Sequence, residues 1–203
     1  MQEKNSITQF TDKYTKKRII GKFLVANFFK IIEKNIPTDI KNVVEVGCGA
    51  GYSTQELKSF LNPGVKFSAC DIDPELVLLA KKRNPDVSCE VGSIYKLPYL
   101  DHSFDLVICL EVVEHLEDPE GALSELARIS NKYVIISTPN EPLWRILNVL
   151  RGKYWRHFGN TPGHINHWSK SGLRKLVFKY FDIIAVKNPI PWTVIYGKIK
   201  KSF

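Results

Sequence analysis

The strongest constraint on the fold comes from a nine-residue segment in which a short apolar run leads into alternating glycines. This segment is 43–51, with the sequence VVEVGCGAG. A buried strand that ends in such a turn brings bare backbone against a ligand. A second apolar run ends at Asp71, where an acidic side chain can accept hydrogen bonds from both hydroxyls of a ribose. The pattern therefore predicts a nucleoside site at the carboxyl ends of two neighbouring parallel strands.

The position of the third glycine distinguishes two kinds of nucleoside ligand. The dinucleotide fingerprint has its third glycine one residue later, where Tyr52 stands in this chain. The loop therefore favours an uncharged or zwitterionic nucleoside without a pyrophosphate. An NAD-dependent oxidoreductase is for this reason the least favoured function.

Strand and helix patterns alternate along the rest of the chain. Ser53 with Glu56 predicts a capping box for a helix over 53–61, and Asp73-Pro74 and Asp118-Pro119 predict two further helix starts. Such alternation indicates parallel crossovers and a doubly wound α/β sheet. The predicted strands are Val43–Val46, Val65–Cys70, Val87–Val91, Phe104–Leu110, Tyr133–Ser137, Asp182–Val186 and Trp192–Ile199.

The composition is that of one globular domain. The chain has 203 residues, of which 44% are hydrophobic, and it contains no apolar run long enough to cross a membrane. Its first residues lack the apolar core of a signal peptide. The cysteines have no metal-site spacing and are expected to be reduced core thiols of a cytoplasmic protein; they are Cys48, Cys70, Cys89 and Cys109.

Four motifs in order resemble those of the class I S-adenosylmethionine-dependent methyltransferases. They are VVEVGCGAG at 43–51, CDIDPE at 70–75, LPYLDHSFD at 97–105 and EVVEH at 111–115. The resemblance covers roughly residues 40–200. It implies a Rossmann-like, doubly wound sheet of seven strands, mostly parallel with an antiparallel last strand, and helices on both faces. It also implies one domain over 1–203, with an N-terminal helical lid at 1–36 and an acceptor-binding insertion at 141–168.

The same resemblance implies a function. The chain is expected to move a methyl group from S-adenosylmethionine to an unidentified small-molecule or lipid-like acceptor and to release S-adenosylhomocysteine. An RNA methyltransferase and a non-catalytic S-adenosylmethionine-binding protein are the alternatives within this interpretation.

The resemblance assigns a set of residues to the methyl donor. Glu45 and the loop glycines line its methionine end, Asp71 binds the ribose, and Ile72 packs on adenine. Ser93 stands where related proteins often have an aspartate that accepts the adenine amino group, and Leu110 and Glu111 face the sulfonium. The full expected set is Glu45, Gly47, Cys48, Gly49, Gly51, Asp71, Ile72, Ser93, Ile94, Leu110 and Glu111.

The motif at 111–115 has two interpretations. Glu111, Glu114 and His115 have ligand types that suit a divalent cation, and His164 or His167 could complete the set. Ubiquinone-type O-methyltransferases and small-RNA 2′-O-methyltransferases are similar here, and some use these residues with a further histidine to bind a cation. In the second interpretation, which we favour, Glu114 and His115 orient the loop without a metal.

Two histidines are also candidates for a general base. An imidazole titrates near neutrality, so His115 or His164 could remove a proton from an acceptor. A structural role that ties the loop before the last helix is the competing interpretation for His164.

The insertion at 141–168 combines aromatic and basic side chains. Trp144, His164 and Trp168 are the candidate contacts of the acceptor. Residues 41–140 carry nine basic and fifteen acidic side chains, whereas residues 141–203 carry twelve basic and two acidic ones. This basic C-terminal third predicts an anionic partner, either a membrane surface or RNA. The alternative is a helix that packs only on its own domain.

Overall fold

The seven predicted strands form one mixed sheet. In the computed structural model, which describes residues 19–200, the strand order is β3-β2-β1-β4-β5-β7-β6. Pairs among β1 to β5 are parallel, whereas β7 runs antiparallel to β5 and to β6. The sheet predicted from the motifs is therefore confirmed. The strands are β1 (Asn42–Val46), β2 (Lys66–Asp71), β3 (Ser88–Val91), β4 (Phe104–Leu110), β5 (Ser130–Pro139), β6 (Phe181–Lys187) and β7 (Trp192–Ile199).

Most helices start where the sequence predicts. Asp73 accepts hydrogen bonds from the first-turn amides of its helix, and Asp118 and Ser169 do the same for two later helices. Short 3₁₀ turns at Val113–His115 and Trp155–His157 complete the chain. The helices are α1 (Ile19–Glu33), α2 (Tyr52–Ser59), α3 (Pro74–Arg83), α4 (Pro119–Ile129), α5 (Leu143–Leu150) and α6 (Lys170–Phe178).

The capping box predicted at Ser53 is wrong. Helix α2 begins at Tyr52 behind Gly51, whose left-handed backbone (φ 77°) provides no side-chain cap. The Ser53 side chain instead lies close enough to the buried Glu45 carboxyl to lower its pKa. Because a buried carboxyl group needs donors more than an exposed helix end does, the tertiary contact displaces the local one.

Each face of the sheet has its own apolar cluster. Leu106, Ile108 and Ile135 point to the cluster that includes Phe28, Phe29 and Ile32 of α1. The alternate side chains of the same strands point to the other face, where they pack against the apolar side of α4 and α6. They are Val107, Cys109, Val134 and Ile136. Helices therefore cover both faces, and the strand ends remain the place where a ligand can reach the backbone.

The structure bears on the expected N-terminal lid and on membrane-spanning helices. The first half of the expected 1–36 lid lies outside the described residues, and its second half is α1, which packs on the sheet. Across residues 19–200, no helix combines the length and apolar character needed to cross a bilayer.

Candidate functional site

The glycine loop leaves β1 at the centre of the sheet and turns back against β2. The amides of Gly47 and Cys48 both donate to the carbonyl of Cys70, at 2.8 and 3.0 Å. Gly47 has a φ of 82°, and a Cβ there would lie 2.3 Å from Val112 Cγ2. Only glycine allows both this backbone and this close approach. The loop therefore presents main-chain groups at the carboxyl ends of β1 and β4.

Asp71 joins this loop to the end of β2. Its Oδ2 accepts the Gly49 amide at 2.7 Å, and its Oδ1 accepts the Asp73 amide at 3.0 Å. Partial burial raises the pKa of Asp71, while these two amide hydrogen bonds oppose the rise. Each carboxylate oxygen has a further lone pair, so the side chain can still accept a diol. The next residue, Ile72, is 69% exposed, which suits an apolar surface that a flat base would cover.

Glu45 is a buried carboxyl group beneath the loop. Its side chain is 1% exposed, and Oε2 accepts the Thr54 hydroxyl at 2.6 Å. Burial raises the pKa of Glu45 to about 7, against hydrogen bonds from Ser53 and Thr54 that lower it. Its second oxygen, Oε1, is buried and has no hydrogen-bond partner among residues 19–200. An unpaired buried acceptor is costly, so a cationic or N–H group of a ligand would suit this oxygen.

Helix α3 supports the loop through residues that the sequence analysis missed. The Asn84 side chain donates to the carbonyls of Gly51 and Ala80, at 2.9 and 3.2 Å. The Arg83 guanidinium donates to the Ala50 carbonyl and lies 3.6 Å from the centre of the Tyr52 ring. The run of basic residues at the end of α3 is a common helix-end pattern, so only the fold reveals this role.

Glu111 occupies a strained turn directly after β4. Its φ is 59°, and its carboxylate accepts Ser137 Oγ at 3.1 Å and Trp192 Nε1 at 2.8 Å. Left-handed backbone at a non-glycine residue is often found at functional sites. The structure therefore holds Glu111 at the end of β4 by contacts to β5 and β7, whose sequences gave no sign of this role.

Glu114, His115 and His164 form a second polar group beside this strand end. One ligand atom from each lies within 4.8 Å of the others, and Glu114 and His164 are buried. The two imidazole rings meet edge to face at 4.9 Å, and His115 Nδ1 lies 2.8 Å from the Gly163 carbonyl. Within residues 19–200, Glu111 is not part of this group. His167 lies instead 3.8 Å from Glu141.

The arrangement differs from the metal set that was the less favoured interpretation of the motif. His164 takes the place that the motif gave to Glu111, because the motif ends in a short 3₁₀ turn rather than in a helix. Residues three and four apart share a face only when a helix continues through them.

The three candidate acceptor contacts are divided between the faces of the sheet. Trp144 is buried in the α1 cluster, donates from Nε1 to Thr161 at 2.9 Å, and stacks on His164 at 6.2 Å. Trp168 packs against the opposite cluster. The structure therefore brings Trp144 and His164 together and leaves Trp168 apart from them.

The remaining residues expected to contact the methyl donor differ in how far their side chains are exposed. Cys48, Ile94 and Leu110 are buried in the two apolar clusters. Ser93 is half-buried, and its hydroxyl accepts the Tyr95 amide at 3.3 Å.

These features fit the methionine, ribose and adenine parts of S-adenosylmethionine. The unpartnered Oε1 of Glu45 suits the amino group of the donor, Asp71 suits the ribose diol, and the exposed Ile72 suits adenine. A side chain at Gly47 would collide with Val112, so the loop can take this conformation only with glycine there.

Comparison with known proteins identifies the same part of the chain. A family profile described as a methyltransferase domain matches residues 44–136, which run from β1 into β5. The chain is 32% identical over 96 residues to norajmaline N-methyltransferase of Rauvolfia serpentina, covering 44% of this chain and 32% of that protein. It is 30% identical over 112 residues to demethylmenaquinone methyltransferase of Paenarthrobacter aurescens, covering 53% of this chain and 43% of the relative. The chain thus spans less than half the length of these curated relatives.

Solved structures agree with the fold at low sequence identity. An S-adenosylmethionine-dependent methyltransferase from Aquifex aeolicus superposes with a TM-score of 0.69 at 18% identity, covering 85% of this chain and 89% of the other. Magnesium protoporphyrin IX methyltransferase from Synechocystis PCC 6803, solved with bound S-adenosylhomocysteine, gives a TM-score of 0.67 at 18% identity over 97% and 95% of the two chains. The domain match covers the strands that build the loop and Asp71, so residues 44–136 match a methyltransferase domain, and the sheet as a whole has the Rossmann-like methyltransferase fold.

Proposed function

We propose that this chain transfers a methyl group from S-adenosylmethionine to a small-molecule or lipid-like acceptor. The observation that carries the proposal is the arrangement of two carboxyl groups around the glycine loop. Asp71 accepts the Gly49 amide of the loop at 2.7 Å, and below the loop Glu45 presents a buried oxygen that has no partner in the described part of the chain. This arrangement supports binding of a nucleoside that also carries a cationic amino-acid end.

Methyl transfer requires alignment of the donor with the acceptor more than it requires a reactive side chain. The sulfonium of the bound donor supplies an already activated methyl group. The residues of this chain hold the donor and the acceptor in line, and alignment alone can lower a barrier by roughly 7–11 kcal/mol. Glu111, fixed by Ser137 and Trp192, positions the end of β4 where the two substrates would meet.

We propose that His164 and His115 serve the acceptor end of the site. His164 lies between the His115 ring and the buried Trp144 ring, so it faces both a polar group and an aromatic surface. An imidazole there can take a proton from a hydroxyl or ammonium acceptor, while Trp144 packs against its apolar part. The paired rings support this assignment, and a divalent cation held by Glu114, His115 and His164 is the alternative.

The acceptor class is supported by the kind of surface near Trp144. Aromatic and aliphatic side chains dominate the region where α5 approaches the strand ends. The two curated relatives named above are methyltransferases of small molecules by their names, norajmaline and demethylmenaquinone. The four cysteines are buried free thiols, which supports a reducing compartment such as the cytoplasm.

Calorimetry with the purified chain tests the proposal. We expect S-adenosylmethionine and S-adenosylhomocysteine to bind and NAD to give no heat. Asp71→Asn should weaken binding by at least about a hundredfold, since each of two hydrogen bonds to a charged group is worth about 1.5–3 kcal/mol. Asp86→Asn, at an exposed carboxylate paired with Lys58, is the matched control and should bind normally.

Turnover separates the remaining alternatives. Methyl transfer to members of a small-molecule and quinone panel supports the proposed enzyme. Donor binding with no transfer to that panel or to RNA would instead support a non-catalytic binding protein. Preferential NAD binding, or donor affinity unaffected by Asp71→Asn, would overturn the assignment of the site.

A further inference from the structure

Helix α5 carries apolar side chains on two opposite sides. Trp144 and Asn148, four residues apart, are buried and join the helix to Thr161. Ile146 and Leu150, also four residues apart, lie about 200° around the helix from them and are 52% and 76% exposed. The inner side explains how α5 packs on the domain. The outer side has no such explanation in the fold.

The segment after α5, whose main chain packs on the helix, carries two further exposed aromatic rings. Trp155 is 67% exposed and Phe158 is 79% exposed. The segment is packed firmly on the helix, because Arg145 Nε donates to the Phe158 carbonyl at 3.1 Å and Asn148 donates to the Gly159 carbonyl at 2.9 Å. Phe158 also holds a φ of 48°, which is uncommon for a bulky residue. We call Ile146, Leu150, Trp155 and Phe158 the apolar patch.

The stretch of chain that carries the apolar patch is rich in basic residues. The stretch 142–181 contains no aspartate or glutamate. Acidic side chains from outside the stretch offset only part of this charge, since Glu120 pairs with Lys179 and Glu141 interacts with Arg145, and an anionic surface would be attracted to the remainder. Its eight basic residues are Arg145, Arg151, Lys153, Arg156, Lys170, Arg174, Lys175 and Lys179.

We propose that the apolar patch docks the protein on the surface of an anionic lipid bilayer. Exposed aromatic and aliphatic side chains next to lysine and arginine are the composition of interfacial helices, which insert their apolar side at the level of the head groups. Charge complementarity favours anionic over neutral lipid. RNA offers bases for stacking and phosphates for ion pairs, and it would leave the exposed aliphatic pair Ile146 and Leu150 without a matching environment.

One consequence of docking rests on the proposed function, because it concerns the acceptor. The inner side of α5 holds Trp144 beside His164, at the carboxyl end of the sheet. Docking through the outer side therefore places the candidate acceptor region close to the head groups. An acceptor dissolved in the bilayer could then enter without crossing water.

Vesicle sedimentation tests the docking. We compare vesicles of phosphatidylcholine with vesicles of phosphatidylcholine and phosphatidylglycerol in equal amounts. Each basic side chain near an anionic surface contributes about fivefold to binding, so two or three of them favour anionic vesicles at least tenfold at low salt. Added salt should remove most of this preference. Equal binding to both vesicles, or none, would overturn the proposal.

Matched variants assign the binding to the apolar patch. The double variant Leu150→Asn/Phe158→Asn should lower vesicle binding at least tenfold, and asparagine tolerates the backbone of position 158. Leu100→Asn, at a side chain that is 81% exposed in the turn before β4, should leave it unchanged. Circular dichroism and thermal melting confirm that both variants fold. Equal loss in both would contradict the assignment.

Two further measurements separate this inference from its alternatives. A fluorescent single-stranded RNA that binds tightly through the patch, while vesicles are ignored, would overturn the membrane assignment in favour of nucleic acid. Donor binding measured by calorimetry on the same preparations tests the proposed function separately. Vesicle binding without donor binding would refute only the enzyme, and donor binding without vesicle binding would refute only the docking.

Discussion

Glu45 gives the sharpest physical test of the site, because its ionisation is linked to both stability and ligand binding. Burial raises its pKa from 4.5 to about 7. The folded chain therefore holds the proton more tightly than the unfolded chain does. The free energy of unfolding keeps its full value below pH 4.5, falls as the pH rises toward 7, and stays constant above it. The difference between the two pKa values corresponds to about 3 kcal/mol.

Glu45→Gln removes this ionisation while keeping an oxygen that can accept the Thr54 hydroxyl. Relative to the unmodified chain, the variant should gain about 2–3 kcal/mol in free energy of unfolding between about pH 5 and pH 8. Urea unfolding at both pH values measures the gain, and other titrating groups cancel in the comparison. Glu56→Gln, at an exposed carboxyl on α2, is the control and should show no such gain.

The same carboxyl group should release a proton when the donor binds. A cationic amino group near Glu45 Oε1 favours the carboxylate, so binding lowers the pKa of Glu45 below neutrality. Calorimetry near pH 7 in two buffers of different ionisation enthalpy should show release of about half a proton, and donor affinity should rise between about pH 6 and pH 8. If Glu45→Gln releases as much, or if its stability follows the unmodified chain at both pH values, then the assignment of a buried, protonated Glu45 is refuted.

Two further predictions concern the loop and the acceptor end. Gly47→Ala should weaken donor binding by at least about tenfold, because left-handed backbone costs roughly 1–2 kcal/mol and the new Cβ meets Val112 at 2.3 Å. Gly64 also has a positive φ (91°), but a Cβ added there has no atom of residues 19–200 within 4 Å. Gly64→Ala should therefore lose stability in thermal melts but keep donor affinity. His164→Asn should lower kcat by about 10²-fold with donor affinity kept, as loss of a general base does. Activity abolished by a chelator and restored by Mn²⁺ would instead identify a cation held with Glu114 and His115.

The local sequence was enough to predict what depends on neighbouring residues. The strand into the glycine loop, Asp71 at the next strand end and the aspartate caps of α3 and α4 each follow from residue types at short spacing. The antiparallel last strand followed only from the resemblance of four motifs in order, since pairing direction is not encoded in a single strand.

The contacts of the candidate site could not be predicted in the same way. Asn84 reaches the loop from the end of α3, and Trp192 reaches Glu111 across 81 residues of chain. Ser53 and Glu56 have the spacing of a capping box, yet Ser53 does not cap α2 and its side chain lowers the pKa of Glu45 instead. In each case a buried polar group selects its partner from everything that the fold brings near, and that set is unknown until the chain is folded.

The sequence by itself determined a parallel α/β sheet with a nucleoside loop, because periodicity, glycine placement and capping act over a few residues. The tertiary structure alone decided that His164 rather than Glu111 joins Glu114 and His115, and that α5 turns Ile146 and Leu150 outward. Both outcomes depend on how segments distant in sequence pack together, and packing is decided by the combined burial of the whole chain.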